Sequence, residues 1–160
     1  MLFRSGVSGS NAHVIVEEAP AHSSEPPPLD RVPRVLTLSA KSAAALSELA
    51  GAYDEWLADR SDDEIADICR TANSGRTHFK IRAAITGSTI AELRAGLGAI
   101  RDGRDLPPPA SPLPADTAAA VDTYLRGGDV DWASLDGGAR RNRVALPTYR
   151  FQRKRYWLTN

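Results

Sequence analysis

Two proline-rich stretches constrain what this 160-residue chain can fold into more than any other feature. The first runs from Ala19 to Pro33 and includes Pro26, Pro27 and Pro28 in succession; the second, LPPPASPLPAD, runs from Leu106 to Asp116. Proline has no amide proton and a fixed φ, so neither stretch can continue a helix or a central strand. Such runs favour extended, polyproline-like chain. Any packed unit must therefore be built before, between or after them. The division falls into an N-terminal piece (1–20), a connection (21–33), a compact unit (34–104), a second proline-rich linker (105–116) and a C-terminal helix with a tail (117–160).

The compact unit reads as strand, helix, helix, strand, helix. Arg34 to Leu38 (RVLTL) is aliphatic and β-branched, which predicts a strand. From Ser42 to Ala58, Leu46, Leu49, Ala50, Tyr53 and Leu57 recur at helical spacing. Ser61-Asp62-Asp63-Glu64 is a capping box, in which serine and glutamate side chains can each satisfy a backbone N–H of the first turn. It opens a helix with Ile65, Ile68, Cys69 and Ala72 on its apolar face. Asn73-Ser74-Gly75 should end that helix, with glycine in a left-handed cap. Phe79 to Thr86 (FKIRAAIT) predicts a second strand. Thr89 to Glu92 is a second capping box, followed by Ile90, Leu93, Leu97 and Ile100 on one helical face. Gly96 and Gly98 weaken that helix by up to ~1 kcal/mol each relative to alanine. His13 to Glu17 (HVIVE) admits a third strand. The expected class is α/β (α+β), a small sheet with helices packed on one face. Beyond the second linker, Thr117 to Arg126 predicts a short helix stopped by Gly127-Gly128. Arg143 to Leu158 has no clear period and reads as an extended tail that lies on something.

Composition excludes several functions. Twenty Lys and Arg balance twenty Asp and Glu, so no whole-chain attraction to nucleic acid or acidic lipid is expected. A single cysteine forms no internal disulfide and no cysteine-based zinc site, and fits a reducing compartment. No apolar run approaches the ~20 residues that span a bilayer, and the N-terminus lacks the apolar stretch of a signal peptide. A cytoplasmic location is the expectation.

Catalytic patterns are incomplete. Acyl transfer by serine needs a nucleophile on a glycine-flanked elbow, a base and an oxyanion hole. Gly6-Val7-Ser8-Gly9-Ser10 lacks the closing glycine, and a Gly/Ser turn is the plainer reading. Cys69 falls on an apolar helix face, where a free thiol is usually core. His13, His22 and His78 have no metal-ligand spacing. No phosphate-binding or dinucleotide loop is present. The expectation is no catalytic residue, no cofactor and no metal. In the tail, Arg150, Arg153, Lys154 and Arg155 interleave with Tyr149, Phe151, Tyr156 and Trp157. Stacking plus phosphate contact uses such residues, but so do protein interfaces. A neutral chain without a nucleic-acid motif favours protein contact. The interface candidates are Tyr149, Phe151, Gln152, Arg153, Arg155, Tyr156 and Trp157.

Three segments resemble modular type I polyketide synthases, in the order those proteins use them. Gly6 to Pro20, GVSGSNAHVIVEEAP, resembles the last strand and exit of a ketosynthase, with Ser5 and Ser10 at its usual Phe and Thr positions. Asp67 to Phe79, DICRTANSGRTHF, followed by Arg82, resembles the linker between ketosynthase and acyltransferase. Leu146 to Leu158, LPTYRFQRKRYWL, resembles the linker after the acyltransferase, with Arg150 at a usual proline; Val130-Asp131-Trp132 matches the sequence preceding it. A complete acyltransferase would occupy a few hundred residues between the second and third segments. The resemblance thus implies the acyltransferase-less type, served by a separate trans-acting acyltransferase. It implies a three-stranded sheet with helices against it and a tail that wraps toward the ketosynthase. The catalytic ketosynthase residues would lie upstream of Met1. The implied role is a non-catalytic linker or docking domain. Its partners would be the ketosynthase of the same polypeptide, a discrete acyltransferase and an acyl carrier protein, with no nucleic acid and no membrane. The alternatives are a purely structural spacer, including a module from which the acyltransferase was deleted, and a residual acyltransferase.

Overall fold

The computed structural model describes residues 2–5, 11–17, 33–136 and 141–152. The element order is β1 (Leu2–Ser5), β2 (Asn11–Val14), β3 (Arg34–Ala40), α1 (Ala43–Leu57), a 3-10 turn (Asp62–Glu64), α2 (Ile65–Gly75), β4 (Ile81–Gly87), α3 (Ile90–Arg101), α4 (Ala115–Leu125) and α5 (Trp132–Leu135). β3 pairs antiparallel with β4, from Arg34 opposite Gly87 to Ala40 opposite Ile81.

The expected three-stranded sheet is not what forms. β2 pairs with β1 in a sheet of its own, and the sheet of the compact unit has two strands among the described residues. Of the expected strand His13 to Glu17, only His13 and Val14 fall on β2, and strand pattern does not choose a partner. Phe79 also precedes the second strand, which begins at Ile81.

Helices cover both faces of the sheet, not one. Strand alternation sends Leu36, Leu38, Ala40, Ala83 and Ile85 to one face. There they meet Leu46, Leu49, Tyr53 and Leu57 of α1, Ile68 and Cys69 of α2, and Leu93 and Leu97 of α3. Val35 and Ala84 point the other way and are covered by Tyr124 of α4 and Trp132 of α5. Burying each large side chain of this kind contributes about 1.5–3 kcal/mol. The C-terminal helices thus complete the fold begun by the middle of the sequence.

Local signals explain most helix ends. Ser42 accepts from Ala45 N–H at the start of α1. Thr89 accepts from Glu92 N–H at the start of α3. The reciprocal arm of that box is displaced by one residue, since Glu92 accepts from Ser88 N–H rather than Thr89 N–H. At Ser61 the reaching-back arm is present, with Ser61 N–H donating to Glu64. Gly127, at φ +91°, lets α4 close with Gly127 N–H on Tyr124 O and Gly128 N–H on Thr123 O. That pair of bonds is a Schellman end. The same closure expected of Gly75 does not occur: α2 runs through Gly75 and stops at Arg76 in extended conformation. Asn73 is engaged inside the fold instead, as described next.

Candidate docking platform

The segment from Asn73 to Arg82 gathers three parts of the chain that are distant in sequence. Asn73 sits near the end of α2, where the helix runs beside the outer edge of β3. Its Oδ1 accepts from Thr37 N–H (3.0 Å) and Thr37 Oγ1 (2.8 Å), and its Nδ2 donates to Val35 O (2.8 Å). The carboxamide stands where the backbone of a third strand would. An exposed strand edge invites pairing with other chains; here one side chain and one helix cover it.

Arg76, immediately after α2, donates through Nη2 to the carbonyls of Leu146 (2.9 Å) and Pro147 (3.2 Å). This fixes the tail across the end of α2. Leu146 is buried in the main core, and Val144 and Tyr149 pack against it. Val144 N–H donates to Thr71 Oγ1 at 3.2 Å, and Asn142 N–H donates to Asp67 at 3.1 Å. The tail therefore lies on the compact unit, as its irregular pattern and aromatic content lead one to expect.

His78 and Arg82 hold α4. The His78 ring nitrogens face Tyr124 Oη (3.0 Å) and Asn73 O (2.8 Å). Arg82 Nη1 donates to Tyr124 O (3.1 Å) and Gly128 O (2.7 Å), and its guanidinium lies 4.8 Å from the Tyr124 ring centre. A cation over the last carbonyls of a helix is favourable both as donor and against the helix dipole. Asp136, just after α5, receives Arg34 (2.9 Å), Arg70 (3.4 Å) and Arg141 (3.2 Å), joining β3, α2 and the start of the tail.

Of the tail candidates, three are described. Tyr149 accepts from Lys41 N–H at 3.1 Å and stacks between Phe79 and Phe151, with ring centres at 5.1 and 5.0 Å. Gln152 accepts from Ser42 Oγ at 2.9 Å. Phe151 is 77% exposed, so only one flank of its ring is covered. Arg153, Arg155, Tyr156 and Trp157 lie outside the described residues, as do Ser8 and His22.

The described candidates for chemistry are committed to packing. Cys69 is 4% exposed, and burial pushes its thiol up to about 12. A thiol in that setting is not a nucleophile at neutral pH. His78 is held between Tyr124 and Asn73 as above. Asn73, Tyr124 and Asp136 carry more of the arrangement than sequence reasoning assigned them. Asn73 alone had a signal, as a polar residue at a helical core position next to Ala72.

This geometry defines a class: a small α/β unit whose helices, late strand and C-terminal tail are clasped together. Residues 34–97 match the family described as CurL-like, PKS C-terminal. The phthioceranic/hydroxyphthioceranic acid synthase of Mycobacterium tuberculosis is 38% identical over 66% of this chain and 5% of its own length. Polyketide synthase PksN of Bacillus subtilis is 31% identical over 97% of this chain and 3% of its own length. The chain thus spans a small part of these relatives. A ketosynthase from module 6 of the bacillaene synthase of Bacillus subtilis has the same fold over 98% of this chain and 31% of that one, with a TM-score of 0.68 at 21% identity. Together these findings support a modular polyketide synthase linker region.

Proposed function

We propose that this chain is a non-catalytic linker and docking domain that supports the ketosynthase of a modular polyketide synthase and recruits a trans-acting acyltransferase. One observation carries the reading. Only residues 102–114 separate α3 from α4, and α4 then packs on the same sheet through Tyr124. The chain passes from one linker segment to the next across the two faces of one sheet, through a stretch too short to hold an inserted catalytic domain. The tail continues past Gln152 with Phe151 largely uncovered, which suits a segment that goes on to contact a further domain. Calorimetric titration with a discrete acyltransferase, and separately with an acyl carrier protein, tests recruitment. Saturable heat with the acyltransferase is the expected result. Heat with neither protein would leave the spacer reading in its place.

A further inference from the structure

We propose that the face made by Lys41, Phe79, Lys80, Tyr149, Arg150 and Phe151 docks a protein partner whose own surface is rich in carboxylates and partly apolar. This surface rests on the docking role proposed above, and it does not require the acyltransferase to be the partner.

The chain is neutral, but its charge is unevenly spread. Residues 33–47, 68–91 and 141–152 hold nine Lys and Arg and no Asp or Glu. The fold brings these three segments together. Lys41 N–H and Ser42 Oγ hold the tail at Tyr149 and Gln152, and Arg76 holds it at Leu146 and Pro147. Four of the nine cations serve the fold: Arg34, Arg70 and Arg141 meet Asp136, and Arg82 closes α4. The other five, Lys41, Arg76, Lys80, Arg143 and Arg150, are exposed and make no ion pair among the described residues. Away from this face, by contrast, Arg94 and Arg101 meet Asp54, and Arg126 meets Asp122. The shortage of carboxylates is local, and a partner that brings them matches it.

The apolar part of the face is a ring cluster. Tyr149 lies between Phe79 and Phe151, with ring centres at 5.1 and 5.0 Å, and Lys41 Nζ stands 5.5 Å from the Phe79 ring centre. Phe151 is 77% exposed. Bases of a nucleic acid stack on open ring faces, and here Phe79 and Tyr149 are already flanked by neighbours. Aromatic residues with arginine are instead the enriched composition of protein interfaces, and cations at the rim steer an acidic partner into place.

The test uses the full chain and a synthetic amphipathic helical peptide with leucine on one face and glutamate beside it. Its counterpart carries glutamine for glutamate. Calorimetric titration in about 0.1 M salt should give saturable binding of the glutamate peptide, with the glutamine peptide at least about tenfold weaker. Lys80→Glu and Phe151→Ala should each weaken the glutamate peptide by about tenfold. Arg60→Glu makes the same charge change beyond the far end of α1 from Ser42 and should leave binding within about twofold of the wild type. The comparison of the two peptides on the wild type stands even if a variant folds poorly. Absence of saturation, equal binding of the glutamine peptide, or equal losses in folded Lys80→Glu and Arg60→Glu proteins would each overturn the surface. So would tighter binding of single-stranded oligothymidine, or self-association that Lys80→Glu abolishes, which would give the face to a second copy. Absence of heat with the acyltransferase removes that partner alone, whereas failure with the peptide removes this face alone.

Discussion

The Asn73 carboxamide oxygen accepts two hydrogen bonds from Thr37, one from its backbone N–H at 3.0 Å and one from its hydroxyl at 2.8 Å. Both residues are buried. Asn73→Ala leaves Thr37 N–H, Thr37 Oγ1 and Val35 O without these partners inside the protein. Each such group costs about 1–3 kcal/mol, so the substitution should destabilise the chain by about 3 kcal/mol or more. Urea unfolding followed by circular dichroism measures this. Asn73→Asp should also destabilise, because it turns the donor facing Val35 O into an acceptor.

Gly96 and Gly98 lie two residues apart in α3 and should respond to alanine in opposite directions. A Cβ at Gly96 would stand 2.4 Å from Ile85 Cγ2, inside the core where helix and strand meet. Overpacking of this kind costs about 1–3 kcal/mol, more than the ~1 kcal/mol gained in helix propensity. At Gly98 the nearest atom is the Arg101 guanidinium at 4.0 Å, so the propensity gain stands. Thermal melts should place Gly96→Ala below the wild type and Gly98→Ala above it. Ile85→Val, which shortens the side chain facing Gly96, should soften the cost of Gly96→Ala.

The middle of the fold was legible because its helices are amphipathic and capped. Leu46, Leu49, Tyr53 and Leu57 show a helical period that burial then reproduces. Gly127 stops α4 where a Gly-Gly pair signals a stop. What failed was non-local. Extended sequence at His13 could not disclose that β2 pairs with β1 rather than with β3. The glycine at Gly75 looked like a cap, but Asn73 was needed at the strand edge and the helix continued past it. Tyr124 and Trp132 gave no sign that they would cover the second face of the sheet, because that depends on a chain reversal through residues 102–114. At the platform, aromatic and basic residues flagged the tail, yet its anchor is Leu146 under Arg76, a contact that spacing cannot show.

That anchor makes a further prediction. Leu146 is 7% exposed and sits in the main core, whereas Phe151 is 77% exposed. Leu146→Ala should cost about 2–4 kcal/mol of tail docking. Phe151→Ala should change stability by no more than about 0.5 kcal/mol. Amide hydrogen exchange across residues 144–149 distinguishes them: protection should collapse in the first variant and persist in the second.

Stability should fall on the alkaline side. Burial raises Cys69 from 9.0 and Tyr53 from 10.0, each to about 12. The folded chain keeps both protons where the unfolded chain has released them, so the unfolded state binds fewer protons over that range. The stabilising contribution is complete below pH ~9 and is lost as pH rises toward ~12, by up to about 1.4 kcal/mol per pH unit for each group. Unfolding midpoints measured between pH 8 and 11 should show this decline. Cys69→Ala should flatten its first part, between the two unfolded-state values.

The most direct test of the non-catalytic docking role is native mass spectrometry of this chain mixed with a discrete acyltransferase and malonyl-CoA. The account predicts an equimolar complex in which every malonyl group resides on the acyltransferase. A malonyl adduct on this chain, or no complex at concentrations where the acyltransferase itself is charged, would contradict it.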